Sequence, residues 1–202
     1  MSFTKQKYQV IKNAVSKELI KFIFDYFILK RKAVKYMYEN NYVHETATLG
    51  FFGDKQVPDV YVQYADFAME TLLTKVMPII KKETKLSLIP TYSYARIYEK
   101  GSILHRHTDR PSCEVSTTLN LGGDSWPIFL DPTKKKNKPG IKIDLKPGDM
   151  LVYSGCELEH WREKFKGDIC AQVFLHYNYV KGKFKDNNLY DKRPLLGIQK
   201  FE

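Results

Sequence analysis

Tyr98-Glu99-Lys100-Gly101-Ser102-Ile103-Leu104-His105-Arg106-His107-Thr108-Asp109 is the stretch on which the fold reading turns. Upstream of it Tyr92, Tyr94, Arg96 and Tyr98 alternate with Ser93, Ala95 and Ile97, a period of two that predicts a strand. Gly101 turns the chain, and Ile103 to Thr108 is the next predicted strand. His107 and Asp109, two residues apart on an extended backbone, point to the same side. An imidazole nitrogen and a carboxylate oxygen can then meet at one metal ion. Alone, such a triplet is a weak signal, because short polar triplets are common in loops.

Outward from this stretch, short predicted strands follow closely on one another. Glu114 to Leu121 is rich in β-branched residues, Gly122-Gly123 turns, and Ile128 to Leu130 is a short strand. Lys134, Lys135, Lys136 and Lys138 mark a basic surface loop. Ile141 to Leu145 alternates again, and Pro147-Gly148-Asp149 is a tight turn before Met150 to Tyr153. His160 and Trp161 follow a turn at Gly155, and Ile169 to Tyr179 is the long final strand. Towards the N-terminus the chain reads as helical. Ser16 can cap a helix with Val15 packed on Ile20 as a staple. Leu19, Ile20, Ile23, Phe24, Phe27 and Ile28 recur at helical spacing, and Asn40 and Asn41 end the segment. A second helix is expected from about Asp59 to about Lys82, with Pro78 inside it. The fold class expected is mainly β with N-terminal helices: a double-stranded β-helix, or jelly roll, buttressed by helices. One domain is expected, with a helical part over about 1–85, a jelly-roll core over about 86–180 and a tail over 181–202. In the tail, Leu195, Leu196 and Ile198 are expected to dock on the body.

The hydrophobic fraction of 43%, with 14 Tyr and 12 Phe in 202 residues, excludes a disordered chain and supplies a core. The net charge of +10 attracts polyanions without specificity. No basic-aromatic nucleic-acid module stands out, so solvated lysines are the simpler account. Cys113, Cys156 and Cys170 are odd in number and scattered, and they read as free thiols of a reducing, cytoplasmic compartment. Met1 to Val10 has no apolar signal core. The apolar run Phe22 to Leu29 is short and carries Asp25, so no membrane span is expected.

Five histidines are present: His44, His105, His107, His160 and His176. In a double-stranded helix of strands, early and late strands lie side by side at one mouth of the barrel, where His160 can join His107 and Asp109. Such a 2-His-1-carboxylate face leaves open positions opposite it, as non-haem Fe(II) oxygenases require. The block Tyr98 … Gly101 … His107-Thr108-Asp109, the strand Glu114 to Leu121, and Pro147-Gly148-Asp149-Met150-Leu151-Val152-Tyr153 followed by His160 together resemble the 2-oxoglutarate- and Fe(II)-dependent dioxygenases of the prolyl 4-hydroxylase-like branch. The resemblance covers roughly Thr91 to Tyr179.

The resemblance implies Fe(II) on His107, Asp109 and His160, with no catalytic side chain beyond these ligands. It implies 2-oxoglutarate chelated to the iron, O2 as oxidant and ascorbate as reductant. It also implies hydroxylation of a substrate C–H bond as 2-oxoglutarate becomes succinate and CO2. The substrate is a peptide, with a prolyl residue as the example, or a small molecule; no specific nucleic acid and no membrane is implied as partner. The chain departs from the family where a Lys or Arg about ten residues after the distal His grips the far carboxylate of 2-oxoglutarate. Cys170 stands there, and Ile169, Ala171 and Gln172 beside it are not basic. A carboxylate in a closed pocket still requires a partner. Arg96, Arg162 and Lys166 are the candidate cations, and His176 shares the parity of Cys170. Tyr98 resembles the family's tyrosine beside the co-substrate, and Thr118 and Asn120 can supply polar contacts.

Two rival readings carry different expectations. A cupin-like metalloenzyme would use His105 with His107 and no 2-oxoglutarate, and a non-catalytic jelly-roll binding module would hold neither iron nor co-substrate. Trp126 and Trp161 are expected to pack rather than bind, and His44 is expected on the surface.

Overall fold

The computed structural model describes residues 3–133, 138–184 and 188–199. A short helix α1 (Phe3–Gln6) and a strand β1 (Tyr8–Ile11) precede the long helix α2 (Lys17–Glu39). Ser16 caps α2 through its side chain, which accepts from the Leu19 amide at 3.3 Å. The helix ends at Asn40, as the sequence predicts. Ile20, Ile23, Phe27 and Val34 form its buried stripe. Next come β2 (Phe51–Phe52), β3 (Tyr61–Tyr64) and α3 (Phe67–Thr84). Asp66 caps α3, accepting from the amides of Ala68 and Met69 at 2.9 and 3.2 Å.

The remainder of the chain is strand-rich. The strands are β4 (Leu88–Glu99), β5 (Leu104–His107), β6 (Val115–Gly123), β7 (Ile128–Asp131), β8 (Ile141–Ile143), β9 (Met150–Tyr153), β10 (Glu159–Arg162) and β11 (Ile169–Tyr179). They form a seven-stranded sheet, β1-β9-β6-β11-β4-β3-β2, and a four-stranded sheet, β5-β10-β7-β8. Side-chain alternation assigns the faces. Ala95 and Ile97 of β4, and Ala171, Val173 and Leu175 of β11, join the core shared with α2 and α3. Tyr98, Cys170 and Phe174, on the opposite parity, pack with Leu104 of β5. Leu151 and Tyr153 of β9 likewise pack with Ile128, Leu130 and Ile143 of the smaller sheet. The helices therefore cover one face of the large sheet and the small sheet covers the other, which is the expected jelly roll with helical buttress.

Three expectations are corrected. Tyr8–Ile11 is a strand, because it pairs with β9 (Val10 opposite Leu151), a partner far away in sequence. Tyr61–Tyr64 is also a strand, with Val62 opposite Arg96, so the second helix starts only after Asp66 rather than near Asp59. In the tail Leu196 packs on the core but Leu195 is exposed, and polar contacts add to the docking. Arg193 pairs with buried Glu70 at 2.7 Å. Lys134, Lys135 and Lys136 of the basic loop lie outside the described residues. Among the described residues no helix is long and apolar enough to cross a membrane.

Candidate metal centre

His107 ends β5 and Asp109 lies just beyond it, while His160 sits on β10, directly opposite His107 in the antiparallel pairing. Their imidazole centroids are 4.3 Å apart. Asp109 Oδ1 is 3.7 Å from His107 Nε2 and 3.4 Å from His160 Nε2. The Nδ1 atoms face backbone carbonyls, that of His105 at 2.7 Å and that of Leu158 at 3.0 Å. A carbonyl only accepts, so each Nδ1 carries the proton and each Nε2 keeps its lone pair. Both rings thus present a free donor atom to the same point as the carboxylate, and the three donors lie within 4.8 Å of one another. This arrangement fits a divalent cation bound on one face.

The neighbouring charges agree. Burial alone would raise Asp109, but His160, followed by His176 and Ser116, holds its carboxyl well below the usual range. Burial lowers His107, and the adjacent His160 adds to this. His160 feels the same burial, yet Asp109 at its side raises it. Asp109 is further fixed at its second oxygen, where Ser116 Oγ donates at 2.6 Å, and at its amide, which donates to the Gly155 carbonyl at 2.8 Å.

His107, Asp109 and His160 line a cavity of about 520 Å³, whose other walls include Tyr64, Tyr92, Tyr94, Phe174 and Tyr153. Two arginines reach it, each already paired. Arg96 Nε donates to Asp54 Oδ2 at 2.9 Å, and its Nη2 donates to Gln56 at 2.7 Å. Arg96 thereby ties the 54–57 loop to β4. Arg110 lies 4.4 Å over the Tyr92 ring and pairs with Asp191 of the tail at 2.7 Å.

Arg162 is different. It is fully buried against Trp126 and Thr118, outside the lining of the cavity, and no carboxylate pairs with it among the described residues. One of its terminal nitrogens donates to the Trp126 carbonyl, the other to Thr118 Oγ1 at 3.3 Å, and Nε has no partner. Burial lowers its affinity for the proton. Tyr98 is fully buried, accepts from Arg96 at 3.3 Å and packs edge-on against Trp126. Thr118 also donates to Gln172 at 3.1 Å. Asn120 is turned away to the Leu145 carbonyl at 2.6 Å, and Lys166 is exposed. His176 lines the cavity; burial lowers its pKa to about 4. His105 is exposed and, among the described residues, belongs to no ligand cluster, which removes the structural basis of the cupin-like arrangement. His44 is exposed, Trp126 is buried, and Trp161 stacks on Phe129.

Ser116, Cys113, Arg110 and Asp54 are site residues beyond the sequence reading. Ser116 had a signal: it shares the parity of Thr118 and Asn120 on one strand. Asp54 had none, since only the fold brings it to the cavity, and the same holds for Asp191, which reaches the cavity-lining Arg110 from the tail.

No family model matches the sequence, and no curated protein matches it. Solved structures do. A Pseudomonas putida prolyl-4-hydroxylase superposes with a TM-score of 0.60 at 14% identity, covering 88% of this chain and 95% of that one. HygX from Streptomyces hygroscopicus, with nickel and 2-oxoglutarate bound, gives 0.58 at 12% over 89% and 85%. The α-ketoglutarate-dependent epimerase SnoN gives 0.64 at 10% over 88% and 80%. The chain has the fold of the 2-oxoglutarate- and Fe(II)-dependent oxygenases. At these identities the likeness is one of fold, and the site has to be argued from its own residues.

Proposed function

We propose that this chain is an Fe(II)- and 2-oxoglutarate-dependent dioxygenase that hydroxylates a C–H bond. The observation that carries the reading is the convergence of His107 Nε2, His160 Nε2 and Asp109 Oδ1 at the wall of a cavity in this fold. Iron bound there would supply, with 2-oxoglutarate and O2, the oxidising power for C–H hydroxylation, 2-oxoglutarate leaving as succinate and CO2. The protein's part is to fix both imidazoles in one tautomer, to keep Asp109 ionised, and to surround the reacting centre with aromatic side chains that exclude water.

Arg162 is the residue that would grip the far carboxylate of 2-oxoglutarate. A guanidinium buried without a counter-ion is costly, and an incoming carboxylate repays that cost. Thr118 steadies it, and Tyr98 lies nearby. Arg96 is the weaker candidate because Asp54 and Gln56 already occupy it. A peptidyl proline is the first substrate to try, since the Pseudomonas putida neighbour is named for that reaction. Small molecules follow, since HygX has been solved with hygromycin B bound.

Purified protein given Fe(II), ascorbate and 2-oxoglutarate should release succinate, at least in slow uncoupled turnover. His107→Ala and His160→Ala should lose iron binding and succinate together; full activity in both would overturn the assignment. His105→Ala should keep both properties. Arg162→Met separates the co-substrate role. It should abolish the rise in melting temperature caused by 2-oxoglutarate while leaving the ligand-free protein at least as stable as wild type.

A further inference from the structure

The carboxylate of Asp109 faces two ways. Oδ1 is turned to His107 and His160, whereas Oδ2 is turned to Ser116, whose hydroxyl is also 3.1 Å from His176 Nδ1. On this second side lies Cys113, at the end of the 3-10 turn Pro111–Cys113. Donor atoms of Asp109, Cys113 and His176 all lie within 4.8 Å of one another. The function proposed above uses neither the thiol nor this imidazole, although Cys113 is 2% and His176 5% exposed.

Three features make this a ligand set rather than a chance packing. Its donors are a sulfur, a ring nitrogen and a carboxylate oxygen, a combination that suits zinc better than a hard ion. Tyr92 orients two of them, with its hydroxyl 3.0 Å from Cys113 Sγ and its ring 4.5 Å from that of His176. Asp109, Cys113, His176 and Tyr92 all line the cavity, so an ion has a path in from the same mouth.

We propose that Asp109, Cys113 and His176 form a second cation site, for Zn(II) or a similar borderline ion, sharing Asp109 with the first. On binding, Cys113 gives its thiol proton to water and His176 exchanges its contact with Ser116 for the ion. The redox state of the protein and the ion does not change.

Co(II) added to the metal-free full chain is the test, because thiolate ligation gives Co(II) an intense near-ultraviolet charge-transfer band that nitrogen and oxygen ligands do not. Wild type should take up two ions, one of them with the band, and Zn(II) should bleach the band by displacement. Cys113→Ala should remove one ion and the band, and Cys113→Ser carries the same expectation if the alanine variant does not fold. Cys156→Ala should leave both intact, which excludes the partly exposed thiol that donates to the Arg110 carbonyl. His176→Gln should weaken the band-forming ion by at least about tenfold. His160→Ala should lose the ion without the band and keep the one with it; retention of both ions there would count against the first site, not the second. One ion and no band in wild type, or a band surviving in both Cys113 variants, would overturn the proposal.

Discussion

Gly155 lies directly against Asp109. Its carbonyl accepts the Asp109 amide proton at 2.8 Å, and a β-carbon at position 155 would collide with Asp109 Oδ2, Ser116 Oγ and the Cys113 carbonyl. The backbone of the turn before His160 thus approaches Asp109 as closely as only glycine allows. Gly155→Ala should push the carboxylate off its position. We expect Fe(II) affinity to fall about 10–100-fold, as for other displaced supports of a metal ligand. Fe(II) titration alongside thermal unfolding checks this. An unchanged affinity in a folded variant would show that the carboxylate relaxes freely.

Ser116 holds the carboxylate oxygen that Gly155 faces. Its hydroxyl donates to Asp109 Oδ2 at 2.6 Å, so Ser116→Ala leaves a buried carboxylate oxygen without that donor. The loss expected in Fe(II) affinity is again about 10–100-fold, with the secondary structure intact by circular dichroism. Affinity equal to wild type would mean that the hydroxyl only fills space.

The candidate cluster of His107, Asp109 and His160 was legible in the sequence for a physical reason. His107 ends a strand with Asp109 two residues further on, and the order of strands in a jelly roll brings a late histidine beside them. The alternation in Tyr92–Tyr98 and Ile169–Tyr179 likewise marked β4 and β11. Tyr8–Ile11 and Tyr61–Tyr64 were not legible, because four residues carry little periodicity and each strand exists only through its partner. The same holds for contacts that cross the fold. Asp54 reaches Arg96 across 42 residues and Asp191 reaches Arg110 across 81, so no local pattern reports them.

Asp191 is where the tail braces the cavity. Its carboxylate is 1% exposed and accepts from Arg110 twice (2.8 and 2.7 Å), from Ser112 at 2.7 Å and from Tyr64 at 2.7 Å. Tyr190, Asp191 and Lys192 hold left-handed backbone in succession, with φ of 50°, 57° and 65°, which costs roughly 1 kcal/mol per residue and is sustained by those bonds. Asp191→Ala should destabilise the protein by about 3 kcal/mol, the low end for breaking a buried pair because Arg110 is half exposed. Fe(II) affinity should stay near wild type, since Gly155 and Ser116 still place Asp109. Urea unfolding and metal titration on one preparation separate the two effects, and an equal loss in both would contradict this division.

Asp149 sets an acid limit on stability. It joins the end of β1 to the turn before β9, with Lys12 Nζ at 2.8 Å and the amides of Asn13 and Lys146 each at 3.1 Å. Burial would raise its pKa, but the Lys12 contact and the two amides outweigh burial and lower it. The unfolded carboxyl therefore binds its proton at a higher pH than the folded one. The stabilisation is complete above about pH 4 and is lost as pH falls through the folded value. Asp149→Asn should cost about 1.5–3 kcal/mol at pH 7, and its deficit against wild type should shrink steadily between about pH 4 and pH 2. Urea midpoints for both proteins at constant ionic strength measure the gap. A gap that stays constant down to pH 2 would mean that the asparagine fails for its shape and not for its missing charge.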